Sequence, residues 1–326
     1  MVRTLAAFAV SVLLSATVLP VQAAVLDATP TARPHVSLML GIARAENRLV
    51  AVGEWGRILL SDDNGKTWRG VASGTEATLN SVRFINDKTG FVVGWDGTIL
   101  RTDDAGATWA KENSDPSADN GLFAVIGLQG TGALAVGAYG LAYQSTDGKS
   151  WTVEHNDTLD PDAHMNSIFA PEPGHLVIAG EAGAVYVSGD DGKVWRHLDF
   201  PYEGSLFGGL AIGPQDWLIY GLRGHVFRTA DGGEHWKQIE TNVTQGLMGG
   251  TKLKDGRVVL VGNGGVALLS NADITGFSAI EHPQTQTLSD VVEAPDGTLV
   301  AVGDVGVSTD ESAIERFAAP ARLAAK

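Results

Sequence analysis

Apolar residues in this chain come in short runs bounded by glycine-rich polar turns. Leu49-Val-Ala-Val-Gly53, Leu79-Asn-Ser-Val-Arg-Phe-Ile85 and Thr98-Ile-Leu-Arg-Thr102 are examples. Such runs predict β-strands, and no helical periodicity of useful length interrupts them. One order of elements recurs. A short strand opens each unit, and after a turn a second strand ends in glycine. A four-residue G-x-x-G turn leads into a third strand, and an aspartate-containing turn ends in tryptophan before a more polar fourth strand. Four antiparallel strands per unit predict one blade of a β-propeller.

Alignment on the tryptophans gives the period. Trp68, Trp109, Trp151, Trp195 and Trp236 each close an aspartate turn, and Phe277 holds the same place in the worn copy SNADITGF. Their spacings are 41, 42, 44, 41 and 41 residues. A further copy opens at Leu288 and reaches GDVGVSTDES without its aromatic. The count predicts an all-β, seven-bladed propeller of four-stranded antiparallel blades. A solenoid is the competing architecture, but four antiparallel strands at this period favour radial closure. One column of the opening strands reads Ser81, Ala124, Ser167, Gly208, Gly249 and Asp290. All but the last are small, as expected where strands converge on a narrow axis. The final unit is closed either by Ser312–Phe317 as its own outer strand or by Val25–Thr29 crossing over from the N-terminus.

The start of the chain adds a compartment. Arg3, the apolar run Leu5–Leu19 and the small-residue site Val21-Gln22-Ala23 predict a leader over 1–23, with the propeller over 24–318 and a tail over 319–326. The expected product is exported and soluble, and it resides in the periplasm, or in the thylakoid lumen of a photosynthetic host. The chain has no cysteine, so neither lipid attachment through cysteine nor disulfides enter. The net charge is −15, and loss of Arg3 takes it to −16. That excess repels nucleic-acid phosphates and anionic lipid, so neither is an expected partner. The acid keeps an exported protein soluble, and a monomer is expected.

The aspartates and tryptophans are the most visible candidates for chemistry. Asp63 and Asp104 stand in complete turns of the form S/T-x-D-x-G-x-T-W, Asp190 and Asp231 in copies that keep the Ser or Thr, Asp, Gly and Trp, and Asp147 in a copy one residue short; these turns resemble the Asp-box of BNR-repeat propellers. Such an aspartate accepts backbone N–H bonds within its own turn, and the tryptophan buries a ring between sheets. Both are expected to be structural. A sialidase-like alternative would need arginines converging on a carboxylate. Arg57, Arg101, Arg223 and Arg228 are the candidates, but none lies on an opening strand. No metal spacing, cofactor loop or catalytic residue is expected.

The G-x-x-G turns lie on the face opposite the aspartate turns. Their variable residues are Glu54 and Trp55, Trp95 and Asp96, Ala138 and Tyr139, Glu181, Arg223, Asn263 and Asp304. Aromatics occur there in three successive units. Exposed aromatics in turns point to binding, or to packing over the channel. Glu54, Trp55, Trp95, Asp96, Tyr139, Glu181, Arg223, Asn263 and Asp304 therefore form the candidate partner-binding set. The links Asn113–Gly121 and Asn156–Met165 rise on the same face.

Copies such as Val50-Ala-Val-Gly-Glu-Trp-Gly-Arg-Ile-Leu-Leu-Ser-Asp-Asp-Asn-Gly-Lys-Thr-Trp68, with its counterpart from Phe91, make the whole mature chain resemble the photosystem II stability/assembly factor family of BNR-type propellers. The resemblance implies a non-enzymatic scaffold that helps membrane complexes assemble. Similar proteins of non-photosynthetic bacteria accompany RND-type exporters. The implied partner is a protein in or at a membrane. A lectin-like propeller, with Trp55, Trp95 and Tyr139 stacking on a glycan, is the alternative.

Overall fold

A computed structural model describes residues 37–115, 120–280, 285–304 and 314–318. The predicted leader, the Val25–Thr29 segment and the tail lie outside them. The strands form antiparallel meanders, each paired only with its sequence neighbours. Blade 1 comprises Met39–Ala45, Arg48–Gly53, Ile58–Ser61 and Arg69–Val71. Blades 2 to 6 open at Leu79, Leu122, Met165, Leu206 and Leu247 and repeat that order.

The sequence count requires correction. Among the described residues six sheets, not seven, have four strands. The remaining sheet has three: Leu288–Glu293, Thr298–Gly303 and Ile314–Ala318. Ile314–Ala318 pairs directly with Thr298–Gly303, which is the place of a third strand and not of the expected outer strand. The reason lies in the last copy: in the other blades an aspartate turn and its aromatic follow the third strand, whereas here the sequence Ser308-Thr-Asp-Glu-Ser312 precedes Ile314–Ala318 and no aspartate turn or aromatic comes after it. This sheet nevertheless closes the ring. Its first strand packs between those of blade 6 and blade 1. The Ile42 N–H donates to Asp290 Oδ2 at 3.2 Å, and Arg44 Nη1 reaches the Glu293 carbonyl at 3.4 Å.

The apolar core is divided among the interfaces between sheets. Ile42, Leu49 and Ala51 pack on Val300 and Val302, and Val50, Val52 and Leu60 pack on Val82, Val92 and Leu100. The pattern continues around the ring. Every second strand is thus covered on both faces, which explains why it reads as an unbroken apolar run. Outer strands such as Thr152–Glu154 are exposed and polar. Each turn tryptophan leans on the preceding blade: Trp109 joins the interface of blades 1 and 2, Trp151 that of 2 and 3, Trp195 that of 3 and 4.

The small axial column has a steric cause. A Cβ on Gly249 would lie 2.5 Å from the Ser289 carbonyl oxygen and 2.6 Å from Asp290 Cα, both backbone atoms of the next innermost strand. Gly249→Ala is expected to cost about 1–3 kcal/mol, as overpacking does where the neighbour cannot move aside. Gly70→Ala, where a Cβ meets nothing within 4 Å, is the matched control and is expected to be neutral within about 0.5 kcal/mol. Urea unfolding of the two variants checks this.

Candidate partner-binding face

Adjacent strands run antiparallel, so turns between second and third strands emerge at one end of the ring and turns between third and fourth at the other. The aspartate turns form closed hydrogen-bond units. The Asp63 Oδ1 atom accepts from Ser61 Oγ at 2.8 Å and from Thr67 N at 2.9 Å, while Oδ2 accepts from Thr67 Oγ1 at 2.6 Å. The Gly65 N–H donates to Ser61 Oγ at 2.8 Å. The whole pattern recurs at Asp104 and, with the His235 ring, at Asp231; Asp190 keeps the Oδ1 bonds with Val194 in place of a hydroxyl, and the shorter Asp147 turn accepts from Lys149 N and Ser150 N. These bonds use the carboxylate oxygens inside the turn.

Backbone donation from Ser150 and Lys149 holds the Asp147 carboxyl at about 2, and donation from the His235 backbone and ring holds Asp231 at about 2. At Asp63 slight burial pushes upward, but the bonds from Thr67 and Ser61 outweigh it, again to about 2. A carboxyl depressed in the folded state stabilises above its unfolded value near 4, and that contribution is lost as pH falls through the folded value. Urea midpoints are therefore expected to stay level from about pH 6 to about pH 4 and to fall toward about pH 2, with Asp147→Asn and Asp231→Asn flattening the drop.

Two of the four candidate arginines, Arg101 and Arg228, are engaged between blades on this same face, while Arg57 and Arg223 lie at G-x-x-G turns on the other. Arg101 pairs with Asp103 at 2.8 Å and donates from Nη1 to the Asp147 carbonyl of the next blade at 2.7 Å. Arg228 pairs with Asp216 at 2.7 Å and donates from Nη1 to the Asp273 carbonyl at 2.6 Å. Arg48 reaches the Ala105 carbonyl in the same way. These side chains tie neighbouring blades and do not converge on one point. The carbohydrate-active alternative is not favoured.

The opposite face is built differently. In each G-x-x-G turn the first glycine lies under the incoming link. A Cβ on Gly53 would sit 2.1 Å from the Leu38 carbonyl oxygen, which accepts the Glu54 N–H at 3.0 Å. The last two turn residues both have positive φ, as at Trp55 (58°) and Gly56 (64°), which is type I′ geometry. That geometry favours Asn, Asp or Gly first and Gly second. Asp96-Gly97 and Gly264-Gly265 obey the preference. Trp55, Tyr139 and Arg223 occupy the same left-handed position with φ of 58°, 52° and 59°, where a bulky side chain is an outlier. The turn needs no aromatic there.

Trp55 is 72% exposed and Tyr139 58%; Trp95, one position earlier in its turn, is 41% exposed. Two of these belong to a row of rings. Trp95 meets Phe123 with centroids 6.2 Å apart, Phe123 meets His164 at 5.7 Å, and His164 meets Tyr139 at 4.6 Å. The Tyr139 N–H donates to His164 Nδ1 at 3.2 Å, which fixes that ring beside the turn. Other predicted residues have local duties. Glu54 accepts the Leu38 N–H, Glu181 the His164 N–H and Asp304 the Thr287 N–H. Asp96 lies beside Trp95 with its carbonyl accepting the Asp115 N–H, and Arg223 and Asn263 are exposed at the turns of blades 5 and 6.

Phe123 and His164 were not legible as site residues. Phe123 follows the first residue of its innermost strand, at a register shift that recurs in every blade. The corresponding residues are Leu40, Asn80, Asn166, Phe207, Met248 and Ser289. Reading that column beside the small axial column is a signal for Phe123; His164 sits in the link before Met165 and has no such signal. Asn80 and Asn166 donate across to the Leu122 and Leu206 carbonyls of the next blade at 2.8 and 2.9 Å.

A closed ring of antiparallel meanders with internally satisfied aspartate turns and one aromatic face defines a β-propeller of the BNR type. The family profile described as photosynthesis system II assembly factor YCF48 matches residues 62–303, and the chain belongs to that family. Among solved structures, one titled YCF48 bound to D1 peptide is 18% identical with a TM-score of 0.67, covering 88% of this chain and 95% of that one. YCF48 from Cyanidioschyzon merolae is 16% identical with a TM-score of 0.69, covering 87% and 97%. A streptogramin B lyase structure is 10% identical with a TM-score of 0.70, covering 83% and 92%. At these identities the likeness concerns the fold alone. No curated protein matches.

Proposed function

We propose that the chain is a non-catalytic accessory scaffold that binds a protein partner through its G-x-x-G face. The observation that carries this reading is the placement of Trp55 and Tyr139 at left-handed turn positions where the fold asks only for glycine or aspartate. Strained backbone of this kind clusters at functional sites, and the large exposed rings of Trp55 and Tyr139 set them apart from Ala182, which takes the same position with φ of 52°. Membership of an assembly-factor family supports the reading, as does the relative whose title names a bound peptide. The leader read from the sequence over 1–23 supports export of the mature chain to the periplasm or, in a photosynthetic host, the thylakoid lumen. The partner is a membrane complex under assembly or an RND-type exporter, and the scaffold acts as a monomer without cofactor.

Capture from envelope extract tests it. Wild-type protein is expected to retain a specific partner that the Trp55→Ala, Trp95→Ala double variant loses. Equal capture by both would overturn the assignment to this face. Fractionation that leaves the native chain in the cytosol would overturn its export.

A further inference from the structure

We infer that the row Trp95–Phe123–His164–Tyr139 receives a basic segment of the partner, a stretch carrying Lys or Arg beside an apolar anchor. This rests on the binding reading above and narrows it to one part of the face and one chemistry. Carboxylates frame the row. Asp96 is adjacent to Trp95 in its turn, and the Glu181 carboxylate accepts the backbone N–H of His164. The link that carries Asp160 and Asp162 runs along Tyr139-Gly140: the Gly140 N–H donates to the Ala163 carbonyl at 3.0 Å, and a Cβ on Gly140 would lie 2.9 Å from the Asp160 carbonyl. Asp160 and Asp162 are exposed.

Among the described residues of the G-x-x-G turns and links of blades 2 to 4, none is Lys or Arg. The ring faces of Trp95 and Tyr139 carry negative quadrupole density, so they add to the attraction for a cation. Exposed aromatic surface supplies the contact for an apolar anchor. An acidic segment or an anionic lipid surface meets like charge here. Complementary potential of this sort sets association rate and partner choice.

The probe is a short fluorescein-labelled peptide of alternating leucine and lysine, with its leucine–glutamate counterpart as comparison. The lysine peptide is expected to bind at least about tenfold more tightly, a difference of about 1.4 kcal/mol. Trp95→Ser and the pair Asp160→Lys, Asp162→Lys are each expected to weaken it about tenfold, with Asp162→Lys alone, whose backbone N–H but not its carboxylate joins the hydrogen bonds of the link, giving part of that loss. Raising salt from about 0.05 to about 0.3 M weakens it as screening shortens. The pair Asp87→Lys, Glu234→Lys adds the same charge at the opposite face and is expected to leave binding unchanged. Equal binding of the glutamate peptide, or equal loss from the opposite-face pair, overturns the inference. If the envelope partner requires Trp95 but ignores Asp160, Asp162 and salt, the basic-segment inference fails while the binding reading stands. If it ignores Trp55 and Trp95 as well, both fail.

Discussion

Trp195→Ala is expected to destabilise the propeller by about 3–5 kcal/mol, the range for deleting a buried aromatic. Trp195 is 6% exposed and packs in the interface of blades 3 and 4 with Leu134, Val136, Leu176, Ile178 and Tyr186. No other blade can fill the hole, because each core is a thin layer between two sheets. Trp195→Phe keeps most of the ring and is expected to cost less than about 1.5 kcal/mol. Trp68, only partly buried against the three-stranded sheet, is expected to be the less sensitive site. Denaturant unfolding of the three variants ranks them. Equal losses at Trp195 and Trp68 would show that the aspartate-turn tryptophans do not act through burial between blades.

The second large effect separates binding from stability. Replacing Trp55 and Tyr139 with glycine is expected to weaken partner binding by at least about tenfold. The fold is expected to hold within about 1 kcal/mol. Glycine relieves a left-handed residue of about 1–2 kcal/mol of strain, and the gain in unfolded-chain entropy offsets roughly half or more of it. Blade 6 shows the outcome already in place, since Gly264-Gly265 makes the same turn. An ordinary core or cap residue would behave otherwise, losing stability and binding together.

The repeat was legible because its marks are chemical. Aspartate, glycine and tryptophan recur at a near-constant spacing, and each is demanded by local geometry at Asp63, Gly65 and Trp68. The blade count was less secure for the same reason. After Gly303 the marks wear away, and counting a glycine turn as a full unit led to seven four-stranded blades where six are found. The Arg101 and Arg228 struts depend on the neighbouring blade's carbonyls, which a one-dimensional alignment does not place side by side. On the binding face, the turn residues Trp55, Trp95 and Tyr139 could be read from the period. Phe123 and His164 could not, because their contacts arise from a strand bulge and from the path of a link between blades.

One face of the ring is built to bind while the other ties the blades together. The measurement that tests this most directly is the affinity of the captured envelope partner for wild-type protein and for the Trp55→Gly, Tyr139→Gly variant, with unfolding midpoints recorded on the same samples. The account predicts at least about tenfold weaker binding at an unchanged midpoint. Undiminished affinity in a variant that unfolds like the wild type would contradict it.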